Sequence, residues 1–207
     1  MPLVYQQNIN ECSQLGVWHI TEPESYFLMQ APLHKEVTHP HKRLQHLAGR
    51  YILKELFPLF PLDLIRIADT RKPHLQDEAY HFSISHCGDY AAALVSTGYR
   101  VGIDVELVQE KIHQLVHKFL SPSELLLLRK GLIRETAVLF WSVKETIFKW
   151  KGSGGMDFKE HMQILSLNGD ETQGTIRVLF AKDEKHELVV HYLFFNSHYL
   201  SWVLTPA

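Results

Sequence analysis

The segment 101–106 (VGIDVE) places two carboxylates two residues apart in a stretch of alternating apolar and polar side chains. A strand turns successive side chains to opposite faces, so the apolar members would face a core while Gly102, Asp104 and Glu106 share the other face. Two carboxylates so spaced lie about 7 Å apart and can flank one hard cation such as Mg²⁺. An edge strand with a solvated acidic face is the alternative, and this segment alone leaves both open.

A second segment that could do chemistry, 140–152 (FWSVKETIFKWKG), has the period of an α-helix. Four of its residues form one apolar stripe: Phe140, Val143, Ile147 and Trp150. Glu145 falls on the other side, four residues before Lys149. That side also carries Trp141 and Phe148, which predicts a helix covered on both faces. The alternative is a plain surface ion pair between Glu145 and Lys149, worth about 0.3 kcal/mol.

Polar and basic residues elsewhere could bind anions. The segment 83–89 (SISHCGD) is predicted to turn between two buried strands and to place Ser85 and His86 at the opening of a site. The remaining candidates are the basic turn Arg71-Lys72-Pro73 and cations of the first predicted helix, Arg43 and Arg50. Each is weak alone, because basic clusters are usually solvated.

Taken together, these residues indicate a ligand with linked phosphates. Mg²⁺ binds through a few carboxylates and fills its remaining positions with water and phosphate oxygens, whereas lysine, arginine and histidine suit the phosphates themselves. The sequence contains neither GxxxxGK[ST] nor GxGxxG, so it is neither a P-loop nor a Rossmann protein.

Composition limits the remaining classes. With 207 residues, of which 45% are hydrophobic, the chain can bury a sizeable core. Its 21 Lys and Arg against 23 Asp and Glu give a net charge of −2, which argues against nucleic-acid and membrane partners. Two cysteines supply no disulfide framework, and no secretory signal or membrane span is visible, so we expect a cytoplasmic protein. A zinc site is the alternative that four histidines suggest, but their spacings match no common zinc finger: His34, His39, His41 and His46.

The predicted elements indicate an α+β fold. The helices are predicted at 41–57, 111–131 and 135–151, the second with an N-cap at Ser121 and Glu124 three residues later. Strands are predicted from residue 80 to about 107, and then at 163–167, 175–180, 188–195 and 199–204. A helix followed by several antiparallel strands occurs twice, which predicts two similar halves, 1–100 and 101–207.

The motifs resemble the signature of the 4′-phosphopantetheinyl transferase family, (I/V)G(I/V)D followed by (F/W)(S/C/T)xKE(S/A)xxK. Gly102-Ile103-Asp104, followed by Val105-Glu106, match the first part, and residues 141–149 match the second, with Thr146 where Ser or Ala is usual. The segment 83–88 and the pair Lys72-Pro73 also match family patterns, so the resemblance spans about residues 40–155. The length is similar to the two-half, Sfp-like monomeric type.

This resemblance implies an α+β fold of two halves related by a pseudo-twofold axis, with coenzyme A bound at their junction. It implies an enzyme that transfers the 4′-phosphopantetheine arm of coenzyme A to a serine of an apo acyl or peptidyl carrier protein and releases 3′,5′-ADP. The transfer would need Mg²⁺ or Mn²⁺. Fatty-acid, polyketide and peptide-synthetase carriers present the same serine, so the carrier stays open; we expect it to dock around residues 111–131.

The resemblance also assigns roles by position. The metal ligands would be Asp104, Glu106 and Glu145. The phosphate contacts would be Lys149, Lys144 and His86, with Ser85 assisting. Lys72 and Pro73 would lie beside the adenine and the 3′-phosphate, and Arg43 and Arg50 would bind the 3′-phosphate. Glu145, directly or through a water, would accept the serine proton, with Lys149 as a second candidate. A catalytically inactive homologue that binds coenzyme A or a carrier is the alternative; the retained acids and Lys149 speak against it.

Overall fold

The computed structural model describes residues 3–31, 33, 37–70 and 72–207. Two compact units are distinguished: unit 1 comprises Met1–Ile103 with Leu204–Ala207, and unit 2 comprises Asp104–Val203. Each unit contains helices and a β-sheet, so the predicted α+β class is confirmed. No helix among the described residues is both long enough and apolar enough to cross a membrane.

Unit 1 is built on a four-stranded sheet crossed by one long helix. Its elements in chain order are β1 (Leu3–Asn10), β2 (Ser13–His19), α1 (Glu24–Leu28), α2 (Pro40–Leu56), β3 (Arg66–Ile67), β4 (Pro73–His74), β5 (His81–Cys87), β6 (Tyr90–Ser96) and the start of β7 (Tyr99–Leu107). The sheet has the order β1-β2-β6-β5, with antiparallel neighbours, and β3 pairs with β4 in a separate ribbon.

Helix α2 packs closely on β5 because residue 49 is glycine. The helix buries Leu47, Ile52 and Leu53 completely in the core of unit 1. A Cβ at Gly49 would meet the Cγ2 atom of Ile84 at 2.5 Å, a distance that real Cβ contacts essentially never show. The missing side chain therefore lets the backbone of α2 approach the strand that carries Ser85.

Unit 2 pairs a five-stranded sheet with one long helix. Its elements are the end of β7, α3 (Glu110–His113), α4 (Val116–Phe119), α5 (Pro122–Leu125), α6 (Ile133–Lys151), β8 (Met162–Gly169), β9 (Gln173–Ala181), β10 (Lys185–Phe195) and most of β11 (His198–Pro206), whose last residues belong to unit 1. The sheet order is β7-β11-β10-β9-β8, and the last four strands along the chain pair antiparallel.

Helix α6 is covered on both faces, as its sequence predicts, since Trp141 and Phe148 on the side of Glu145 are half-buried and contact the ring of Phe158. The whole predicted apolar stripe is at most 2% exposed: Phe140, Val143, Ile147 and Trp150. On β11, Ser201 Oγ lies 2.8 Å from Ser142 Oγ and 2.6 Å from Thr146 Oγ1, all three residues being buried. The threonine that departs from the family signature thus bonds the helix to the sheet. The helix ends at Gly152, whose φ of 70° is left-handed.

Three segments differ from their predicted structure. Residues 111–131 form three helices of four residues each rather than one long helix, although the predicted Ser121–Glu124 capping box is present. The hairpin of β1 and β2 was not predicted, because β1 alternates half-buried and exposed residues and is mostly polar. Ser85 and His86 lie on β5 itself, and Gly88-Asp89 makes the turn.

Candidate functional site

The carboxylate of Asp104 is buried against a lysine. Asp104 is only 2% exposed, although β7 stands at one end of the sheet order. Lys149 Nζ lies 2.6 Å from its Oδ1 atom, and the lysine side chain is 25% exposed. The interpretation of segment 101–106 as a solvated acidic edge is therefore wrong. Lys149 also pairs with Asp104 rather than forming a surface ion pair with Glu145 alone.

Glu106 and Glu145 lie in the electrostatic field of the same aspartate. Burial raises the pKa of Glu106 to about 7, and the negative charge of Asp104 adds to this. Burial likewise raises the pKa of Glu145 to about 7, again with a contribution from Asp104, while Lys149 opposes it. Three carboxylates thus share a partly desolvated region of unit 2 with the ammonium of Lys149. Such an excess of negative charge favours protons or a metal cation.

The chemistry of these donors fits a divalent cation, but the side chains do not form a finished ligand set. Carboxylate oxygens are the ligands that Mg²⁺ and Mn²⁺ prefer. Among the described residues, no three acidic, histidine or cysteine side chains are grouped as closely as the ligands of a bound metal. Lys149 Nζ already contacts Oδ1 of Asp104, so a cation would compete with that ammonium.

Lys144 has a structural role instead of the predicted phosphate contact. Its side chain is 0% exposed, and Nζ lies 2.7 Å from Oε1 of Glu124, which is also fully buried. The same ammonium donates to three backbone carbonyls at 2.7–2.9 Å: those of Phe119, Phe158 and Met162. Burial lowers the pKa of Lys144, and the Glu124 carboxylate counteracts this. With four oxygens around three N–H groups, this lysine has no donor left for a ligand.

In unit 1, Ser85 and His86 lie near the C-terminal end of β5, just before the Gly88-Asp89 turn. Ser85 is 5% exposed and stands opposite Ala92 of β6, whereas His86 is half-buried. The ring of His86 packs edge-on against the ring of His46 of α2, with centroids 5.2 Å apart. The predicted site residue His86 thus has a second histidine, His46, beside it, which was not among the predicted site residues.

That second histidine belongs to a basic stripe on one side of α2. Lys42, His46 and Arg50 follow one another at four-residue intervals. Burial lowers the pKa of His46, and the charges of Arg50 and Lys42 lower it further, so these three basic side chains lie close together. Arg50 is only 8% exposed, and its buried Nε atom has no hydrogen-bond partner among the described residues. The four-residue spacing is the signal that would have grouped His46 with Lys42 and Arg50.

Arg43, the other arginine predicted from this helix, has partners within unit 1. Its Nε atom donates to Oε1 of Glu24 at 2.8 Å, and Nη1 donates to the carbonyl of Val37 at 3.0 Å. The hydrogen bond to Glu24 raises the pKa of Arg43. Arg50 is therefore the better placed of the two for an anion.

Lys72 and Pro73 lie at the β3–β4 ribbon. The Lys72 carbonyl accepts a hydrogen bond from the amide of Ala68, and Pro73 pairs with Ile67. Burial lowers the pKa of Lys72 to about 8, and the charge of Arg100 contributes. Arg71, the first residue of the predicted basic turn, lies outside the described residues.

The histidines considered for zinc do not form a cluster. Nδ1 of His39 accepts from the amide of Lys42 and caps α2, and His41 pairs with Asp89 at 3.1 Å. His46 packs on His86, and His34 lies outside the described residues. The zinc interpretation therefore has no support in the described part of the chain.

Comparison with known proteins points to one family. The sequence profile of the 4′-phosphopantetheinyl transferase superfamily matches residues 100–203, which include every candidate of unit 2. Over 112 residues the chain is 34% identical to the 4′-phosphopantetheinyl transferase psf-1 of Bacillus pumilus, an alignment that covers 51% of this chain. The chain spans about half the length of that curated relative, 47%.

Proposed function

Because the chain belongs to the 4′-phosphopantetheinyl transferase superfamily, we propose that it transfers the 4′-phosphopantetheine arm of coenzyme A to a serine of an apo carrier protein. The second product is 3′,5′-ADP. The observation that carries this function is the group of Asp104, Glu106 and Glu145 beside Lys149, since it provides both acidic and basic groups for a pyrophosphate. Residues 101–207 would supply this group, and residues 1–100 the contacts to adenine and the 3′-phosphate.

Asp104, Glu106 and Glu145 would hold Mg²⁺, or Mn²⁺ in its place. The bound ion would neutralise the negative charge of the pyrophosphate. Two carboxyls whose pKa values are raised by burial and by the charge of Asp104 support this assignment, because a divalent cation relieves that repulsion. Lys149 would donate to phosphate oxygens and offset the charge that develops on the leaving ADP.

Glu145 would accept the proton of the attacking serine. The serine oxygen forms a bond to the β-phosphorus while the bond from that phosphorus to the bridging oxygen breaks, and 3′,5′-ADP leaves with the electron pair. A pKa of about 7 suits a general base at neutral pH. Glu145 would accept the proton directly or through a water. Because a carboxylate that also binds metal is a weaker base, Lys149 is the second candidate for the proton acceptor.

The basic stripe of α2 would bind the 3′-phosphate, with His86 and Ser85 of β5 beside it. Arg50 supports this placement best because it is buried and its Nε atom has no hydrogen-bond partner among the described residues. A buried guanidinium is stabilised by an anion that accepts its N–H groups. Lys72 and Pro73 keep their proposed place beside the adenine.

We expect Arg50→Met to raise the KM for coenzyme A about tenfold, because a hydrogen bond to a charged group is worth roughly 1.5–3 kcal/mol. Steady-state kinetics with dephospho-coenzyme A, which lacks the 3′-phosphate, should show almost no difference between this variant and the wild type. Arg43→Met is the matched control on the same helix, since that guanidinium already bonds Glu24 and Val37. Equal penalties with both substrates would remove Arg50 from the 3′-phosphate site.

Metal affinity should rise with pH between 6 and 8. Glu106 and Glu145 have pKa values of about 7 without metal, and a metal binds their deprotonated forms. Both pKa values lie above the unfolded value of about 4.3, so without metal each carboxyl makes folding less favourable as the pH rises from about 4.3 to about 7. Calorimetric titration with Mg²⁺ at three pH values tests the predicted rise in metal affinity. The dissociation constant should fall about tenfold or more from pH 6 to 8; a constant that does not change with pH contradicts it.

The function itself is tested by mass spectrometry. Purified protein, coenzyme A and Mg²⁺ are incubated with several apo carriers of the fatty-acid, polyketide and peptide-synthetase types. We expect the carrier serine to gain the mass of one phosphopantetheine group, and we expect no gain when EDTA removes Mg²⁺ before the reaction. If no carrier gains mass while coenzyme A still binds, the alternative of an inactive homologue is correct.

The carrier is proposed to dock around residues 111–131, on a monomeric transferase in the cytoplasm. Three lysines of this segment are exposed, Lys111, Lys118 and Lys130, and Leu126 is 86% exposed beside the half-buried Leu125. Exposed cations next to exposed apolar side chains suit an acidic amphipathic helix of the carrier.

A further inference from the structure

Trp141 donates a hydrogen bond to one of the proposed metal ligands. Its Nε1 atom lies 3.2 Å from Oε1 of Glu106, 35 residues away in the sequence. The indole is half-buried, and Nε1–H is its only polar group. The proposed reaction has so far given this side chain no role.

The indole is held in place by two phenylalanines. Its ring centroid lies 5.1 Å from that of Phe119 and 5.4 Å from that of Phe158. The backbone carbonyls of the same two residues accept hydrogen bonds from Lys144, one turn further along α6. The cage around Trp141 is therefore fixed through both side chains and backbone.

We propose that Trp141 is a positioning residue that orients the carboxylate of Glu106 for the divalent cation. This inference rests on the proposed function. A carboxylate on a flexible side chain binds metal more tightly when a directional donor restricts its rotation, and the loss of such donors typically costs about 10- to 100-fold in metal affinity. The caged indole supplies that donor from a rigid helix rather than from a loop.

Trp141→Phe tests this inference, because phenylalanine keeps an aromatic ring in the cage and removes the N–H group. The protein is titrated with Mn²⁺ in the presence of coenzyme A, and the free Mn²⁺ is measured by electron paramagnetic resonance. We expect Mn²⁺ binding to weaken about tenfold. Trp141→His keeps a ring N–H and should bind Mn²⁺ more tightly than Trp141→Phe. This second variant keeps the inference testable if the phenylalanine variant folds poorly.

Trp18→Phe is the matched control. In unit 1, Trp18 Nε1 donates to Oε2 of Glu22 at 3.1 Å, so this variant loses an indole–carboxylate bond of nearly the same length. Its Mn²⁺ affinity should equal that of the wild type. An equal loss in both tryptophan variants would assign the effect to general destabilisation and overturn the inference.

A second measurement is independent of activity. With ¹⁵N-labelled tryptophan the four indole N–H groups of the chain give separate signals. Addition of Mg²⁺ should move the signal of Trp141 and leave that of Trp18 unchanged. If the wild type transfers phosphopantetheine but Trp141→Phe binds Mn²⁺ normally, the inference fails and the function stands. If no carrier is modified and the variant still binds Mn²⁺ more weakly, the proposed function fails and the inference survives.

Discussion

Glu145→Gln should lower kcat for carrier modification about 10²- to 10⁴-fold, the range expected when a general base is removed. Glutamine keeps the shape of the side chain but cannot accept the serine proton. It also supplies one neutral oxygen to the metal in place of a carboxylate. The same helix, α6, carries the matched control Glu135→Gln, whose carboxylate is 24% exposed and bonds Arg134 at 2.7 Å. The control should keep the wild-type rate.

The kinetics of the Glu145 variant separate its two proposed duties. If Glu145 is mainly a base, kcat falls and the Mg²⁺ dependence is unchanged. If it is mainly a ligand, the Mg²⁺ concentration required for half-maximal rate rises, and higher Mg²⁺ restores part of the activity. Measurement of the initial rate across a Mg²⁺ series distinguishes these cases. A variant with wild-type rate at every concentration would show that the acidic site is assigned to the wrong residues.

Lys144→Met should destabilise the protein by about 3–5 kcal/mol, the cost of breaking a buried ion pair by removing one partner. The substitution leaves the fully buried carboxylate of Glu124 without its ammonium and removes one hydrogen bond from each of three carbonyls. Glu124 would retain its bonds from the amides of Ser121 and Ile164. Urea unfolding followed by tryptophan fluorescence measures the loss. Because the chain has two units, the transition of each should be fitted separately.

Two further variants make this result specific. Arg177→Met breaks an ion pair with Glu187 whose side chains are about half exposed, 50% and 49%, and should cost at most about 1 kcal/mol. The double variant Lys144→Met with Glu124→Gln removes both buried charges, so it should be less destabilised than the sum of the single variants. If Lys144→Met destabilised the protein as little as Arg177→Met, the buried ion pair of Lys144 with Glu124 would not contribute to stability as its geometry indicates.

Local patterns predicted the parts of this fold that depend on local chemistry. The apolar stripe of α6, its end at Gly152 and the Ser121–Glu124 capping box were all confirmed. Each depends on side chains within a few turns of one another, which a sequence displays directly. The motif residues Asp104, Glu106 and Glu145 are likewise visible as a pattern, although their roles stay predictions.

Contacts between distant segments could not be predicted in the same way. Lys144 follows Glu124 by 20 residues, and nothing in either local pattern shows that the helix and the capping box face each other. The bond from Trp141 to Glu106 spans 35 residues. Segment 111–131 was predicted to be helical with an N-cap at Ser121, but it forms three short helices beside the buried carboxylate of Glu124. Tertiary burial decided these cases over local propensity.

The close approach of α2 to β5 makes the proposed anion-binding side of unit 1 sensitive to the size of the side chain at residue 49. His46 lies one turn before Gly49, and Arg50 directly follows it. A Cβ atom on Gly49 would lie only 2.5 Å from the Cγ2 atom of Ile84, so there is no room for a methyl group. Any residue larger than glycine would push the helix outward and carry His46 away from His86. If this face binds the 3′-phosphate as proposed, its affinity depends partly on a position that bears no charge and touches no ligand.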